Sequence, residues 1–78
     1  MPRFPSLSSA QIIRALRKAG FVEAPDRGKG SHRALYRPDD AGRAHLVIVP
    51  QGKTIPKGTL LAVIDQAGLT RDQFLRLL

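Results

Sequence analysis

The 78-residue chain contains no cysteine, which excludes disulfide staples and thiolate metal sites. It has no apolar run near the ~20 residues needed to cross a membrane, and its N-terminus lacks the apolar core of a secretory signal. A cytoplasmic location is therefore the expectation. Aromatic residues are sparse (Phe4, Phe21, Tyr36 and Phe74), so sequence selectivity toward a nucleic acid has no visible source. The two histidines, His32 and His45, lack a third convergent ligand, and Asp39 and Asp40 fall in a turn, so no metal site is expected. Acidic residues are also few: 6, against 13 lysines and arginines.

What is present is a modest apolar complement and a strong positive charge. A hydrophobic fraction of 42% with 24% charged residues is that of a globular chain, and the length suits one domain spanning residues 1–78. The formal net charge is +7. Seven basic residues (Arg27, Lys29, Arg33, Arg37, Arg43, Lys53 and Lys57) and two acids (Asp39 and Asp40) lie between positions 27 and 57, so this window carries +5 of the total. Such a concentration suits a polyanion, or an acidic protein that covers the same surface.

Local signals order the chain well. Ser8 and Gln11 form an S-x-x-Q capping box, with Leu7 placed to staple against Ile12. Ile12, Ile13, Leu16 and Ala19 share one helical face, and Gly20 stands where a left-handed cap belongs, which predicts a helix over 8–19. A short strand over 21–24 precedes the glycine-bearing stretch Arg27-Gly28-Lys29-Gly30-Ser31-His32-Arg33. Strands over 31–37 and 43–49 flank a Pro38–Gly42 turn. A second helix opens at Gly58-Thr59-Leu60 and is capped by Gly68. Thr70 with Gln73 then repeats the capping box before a last short helix. The order is α-β-β-β-α with an appended C-terminal helix, an α+β arrangement with a three-stranded antiparallel sheet and helices on one face.

A symmetric hairpin pairing Arg37 with Arg43 sorts the sheet residues. One face holds Arg33, Leu35, Arg37, Arg43, His45, Val47 and Val49; the other holds His32, Ala34, Tyr36, Ala44, Leu46 and Ile48. The second set is the more apolar, so the helices are expected to cover it, with the arginines and His45 looking outward. That places His32 toward the covered side unless it lies at the rim or a bulge re-aims it. Tyr36, otherwise a candidate for base stacking, is then expected in the core.

The glycine-bearing stretch joins a proton-transferring imidazole to glycines that permit close main-chain approach and to three cations. These pieces suit an encounter with phosphate. The plainer alternative is a turn, a capping serine and a packed histidine.

With the elements placed, the chain resembles the HicA toxin family, small mRNA interferases of bacterial toxin–antitoxin pairs. The likeness is carried by residues 12–21 (Ile-Ile-Arg-Ala-Leu-Arg-Lys-Ala-Gly-Phe), by Gly30-Ser31-His32, and by Val47-Ile48-Val49-Pro50. Residues 57–69, with Gly58-Thr59-Leu60 at their head and Gln66-Ala67-Gly68-Leu69 at their end, complete it. The resemblance implies a fold like the double-stranded-RNA-binding domain and a ribonuclease needing neither metal nor other cofactor, whose catalytic histidine maps onto His32. It also implies a HicB-type antitoxin that masks the site. Members often carry another histidine just after the Val-Pro pair, where this chain has Gln51-Gly52. Substrate RNA would be held by Arg27, Lys29, Gly30, Ser31, Arg33, Lys53 and Lys57, through charge and through backbone N–H groups near the turn. The alternative is a non-catalytic module of the same fold that binds RNA or an antitoxin.

Overall fold

The computed structural model describes residues 5–24, 32–39 and 41–78. The elements run α1 (Ser9–Lys18), β1 (Val22–Glu23), β2 (His32–Pro38), β3 (Ala44–Pro50), α2 (Lys57–Gln66) and α3 (Arg71–Arg76). The sheet is antiparallel throughout, in the order β1-β2-β3. This is the α-β-β-β-α pattern with a C-terminal helix that the sequence predicts.

Helix boundaries follow the local chemistry. Gln11 N–H donates to Ser8 Oγ at 3.2 Å while Ser8 N–H donates to Gln11 Oε1 at 2.8 Å, closing the first capping box. Thr70 and Gln73 repeat it before α3. At the end of α1, Gly20 (φ +96) gives its N–H to Arg17 and Phe21 gives its own to Leu16, a Schellman motif. Gly68 (φ +71) and Leu69 do the same for α2 with Asp65 and Ile64.

The core lies between the helices and one face of the sheet. Ile12 and Leu16 of α1, Leu60, Val63 and Ile64 of α2, and Phe74 of α3 meet Leu35, Val47 and Val49, with Phe21, Ile55 and Ala67 filling between them. Ser9, buried among them, is stitched to the loop after β3. Its backbone N–H donates to Gly52 O at 3.0 Å, and Ile55 N–H donates to Leu7 O at 2.8 Å.

Two expectations need correction. The hairpin pairs Arg37 with His45 and Pro38 with Ala44, so it is slid one residue along each strand from the symmetric Arg37–Arg43 register. Asp39 sets this loop: its Oδ1 accepts from Ala41 N–H (3.0 Å) and Arg43 N–H (2.8 Å), and its own N–H donates to Arg43 O. The slide moves partners by two residues, so face membership survives. The choice of covered face does not. Leu35, Val47 and Val49 are buried beneath the helices, while His32, Tyr36 and Leu46 are exposed on the open face.

The face bearing cations is nevertheless the buried one, because its charges sit at the margins. Arg37 lays its stem against Gly20, places its guanidinium 5.5 Å from the Phe21 ring centroid, and donates from Nη1 to Ala19 O at the end of α1. Arg33 pairs with Glu23. His45 packs beside Gly68 and lies 3.5 Å from Asp39.

Candidate functional site

His32 opens β2 on the open face of the sheet, opposite Pro50. Its side chain is exposed: it stays on the face of Tyr36 and Leu46 as alternation predicts, but the helices cover the other face. The strand alternation explains this directly. His32, Ala34, Tyr36 and Pro38 share a face, as do Ala44, Leu46, Ile48 and Pro50 across the ladder, with Val22 beside Tyr36.

Several other segments leave from the His32 end of the sheet. β3 finishes there at Pro50, and the following loop carries exposed Lys53 to the start of α2 and exposed Lys57. The N-terminus of α1 is tied to the same loop through Ser9 and Gly52. Gln51, at the position after Val49-Pro50, offers its Oε1 to Ser9 Oγ at 3.4 Å, which draws it toward α1. Arg27, Lys29, Gly30 and Ser31, the remaining sequence candidates, lie outside the described residues.

Arg33 stands apart from the other candidates. It points to the helix side, and Glu23 Oε1 receives both it and Arg17, the latter at 2.6 Å. Arg14, Arg17 and Arg33 line one shallow depression of about 230 Å³ with Ala10 and Ile13. Sequence reasoning missed this cluster because it joins α1, β1 and β2 across the fold. The partial signal was the polar stripe of the first helix.

His45 is separated from His32 by face and by length. It pairs with Arg37 while His32 pairs with Pro50, five ladder steps or roughly 17 Å apart. The two rings therefore do not act on one bond. Among the described residues, no group of three histidine, aspartate or glutamate side chains converges as a metal site would require.

A family model for the HicA toxin of bacterial toxin–antitoxin matches residues 9–69, from the first residue of α1 to just past the cap of α2. The chain belongs to the HicA toxin family. Its role is accordingly that of the toxin partner of an antitoxin. The matched span takes in His32, Lys53, Lys57 and the whole sheet, and leaves out only α3 among the elements. No curated protein matches the chain. No helix among the described residues is long and apolar enough to cross a membrane.

Proposed function

We propose that this HicA-family chain is a metal-independent endoribonuclease that cuts mRNA with His32 as its general base and is neutralised by a HicB-type antitoxin. The observation that carries the reading is the exposed imidazole on the open sheet face, at the end where the Lys53 loop and the start of α2 also emerge.

The chemistry asked of these groups is transesterification. His32 takes the proton of a ribose 2′-hydroxyl, the oxygen attacks the adjacent phosphorus, and the 5′-oxygen leaves with a proton from a lysine or solvent. The products are a 2′,3′-cyclic phosphate and a 5′-hydroxyl. Positioned proton transfer of this kind contributes about 10²–10⁴-fold. Lys53 and Lys57 bring positive charge to the developing phosphorane. Arg27 and Lys29 precede His32 closely in sequence and are proposed for the same duty, with the backbone of Gly30 and Ser31 cradling the phosphate. Arg33, turned to the helix side and paired with Glu23 beside Arg17, takes the smallest part in holding the substrate.

Purified protein incubated in EDTA with single-stranded RNA tests this. The expected result is cleavage to cyclic-phosphate ends, and none of a DNA strand of the same sequence, which lacks the nucleophile. Intact RNA after incubation at high enzyme concentration would overturn it. A second reading, a binding module without catalysis, draws on the apolar open face formed by Val22, Tyr36 and Leu46. It predicts salt-sensitive RNA or antitoxin binding and no cleavage products.

A further inference from the structure

Tyr36 is the sole tyrosine of the chain, which has no tryptophan. It sits in the middle of the open sheet face, between Val22 and Leu46, and is 42% exposed. Val22 pairs with it on one side and Leu46 on the other, and both are also exposed. Four residues along the same strand and on the same face stands His32, roughly 13 Å away at strand rise. The fold does not bury this ring. The core closes over the opposite face, through Leu35 and Val47.

The charge around Tyr36 points to what lies on it. Among the described residues the open face carries no carboxylate. Glu23 is turned to the helix side and engaged by Arg17 and Arg33; Asp39 is engaged by its own loop and by His45. A polyanionic strand therefore meets no like charge from the described residues beside the ring, on a chain of net charge +7. A protein partner finds less here. Val22, Tyr36, Leu46 and the half-buried Ile48 offer a fraction of the roughly 800 Å² per partner that a stable interface buries.

We infer that Tyr36 is a stacking platform for an unpaired RNA base, a few nucleotides from the phosphate presented to His32. The inference rests on the ribonuclease reading for its substrate class. Stacking on an aromatic face accepts any base, so this residue selects single-stranded over paired RNA and sets where the strand lies, with little choice of sequence. The flanking aliphatic residues fit that task, since they support the ring without competing for hydrogen bonds.

Because Tyr36 is the only strong intrinsic fluorophore, the protein reports on itself. The probe is a short 2′-O-methyl oligoribonucleotide, whose blocked 2′-oxygens cannot serve as nucleophile. Titrated into the wild-type protein, it should quench tyrosine emission saturably, and the duplex of the same sequence should not. Tyr36→Leu, which keeps an apolar strand residue and whose folding is followed by circular dichroism, should weaken binding by about five- to a hundredfold. Tyr36→Phe should bind close to wild type. Unchanged emission on binding, unchanged affinity of Tyr36→Leu, or no binding of the oligonucleotide at all would each overturn the assignment. So would a Tyr36→Leu protein that loses its antitoxin and keeps its RNA, since the ring would then belong to a protein interface. The catalytic reading is scored separately on unmodified RNA. Quenching without cleavage removes that reading and leaves the platform, whereas cleavage by Tyr36→Leu at the wild-type KM removes the platform and leaves the catalysis.

Discussion

His32 and His45 belong to one hairpin. The first opens β2 on the face of the sheet away from the helices and is exposed; the second lies in β3 on the helix-covered face, with its ring against Gly68 and its Nε2 3.5 Å from Asp39. The pair shows how a residue of one chemical type is committed by position. His45 fills space under the α2 cap and faces a carboxylate that also organises the hairpin loop. His32 stands exposed on the other face, as the proposed role requires. The sharpest way to break this contrast is to delete each ring. His32→Ala should lower RNA cleavage by about 10²–10⁴-fold, the usual worth of positioned proton transfer, with thermal stability nearly unchanged. His45→Ala should cleave RNA at the wild-type rate. Equal losses in both variants would end the assignment of separate roles.

The same contrast holds between the two faces around neighbouring residues of β2. Leu35 is fully buried and its neighbour Tyr36 is 42% exposed. Leu35→Ala should cost about 2–5 kcal/mol, because a cavity opens among Val47, Val49 and the helices. That is a large share of the ~5–15 kcal/mol that holds a domain together. Tyr36→Ala should cost about 1 kcal/mol or less, chiefly through strand preference. Denaturant melts of the two variants decide it; a Tyr36→Ala loss as large as that of Leu35→Ala would mean that the open face is packed.

These two faces also mark where the sequence was legible. Both capping boxes, both glycine caps and the order of elements follow from residues within a few positions of one another, and these reappear in the structure at the expected sites. The hairpin slid by one residue along each strand, moving partners by two, because Asp39 accepts two backbone N–H groups from its loop, a preference a symmetric turn ignores. Alternation sorts residues into two sets, but which set is covered depends on where the helices come to rest. Counting apolar residues favoured the set with Tyr36, Leu46 and Ile48. The arginines of the other set are only partly buried because they lie at its edges, Arg33 on Glu23 and Arg37 over Phe21, long-range arrangements that no short window contains. His32 was legible as a candidate from its glycines and cations, whereas its exposure depended on which face the helices cover.

Two glycines with positive φ separate steric crowding from backbone strain. At Gly42 (φ +82) an added Cβ meets nothing within 4 Å. At Gly68 (φ +71) it would lie 2.8 Å from His45 Cε1. Gly42→Ala should therefore cost only the left-handed penalty, about 1–2 kcal/mol. Gly68→Ala should cost the same penalty and, in addition, whatever is needed to move the His45 ring. Melts that rank the two variants equally would show that the ring yields freely.

The smallest effect belongs to the His45–Asp39 contact and follows from the last comparison. The side chains are 31% and 26% exposed and 3.5 Å apart, so water and salt screen their attraction and it contributes at most about 1 kcal/mol. His45→Ala alone should shift the melt little. Its value is as a partner in a double-mutant cycle. Removing the ring also removes the atom against which an alanine at position 68 would press, leaving only the left-handed penalty. The double variant His45→Ala, Gly68→Ala should therefore be more stable than the sum of the single losses predicts. Strict additivity would mean that the ring already moves aside in the single Gly68→Ala variant, and that His45 is held less firmly under the α2 cap than its contacts with Gly68 and Asp39 imply.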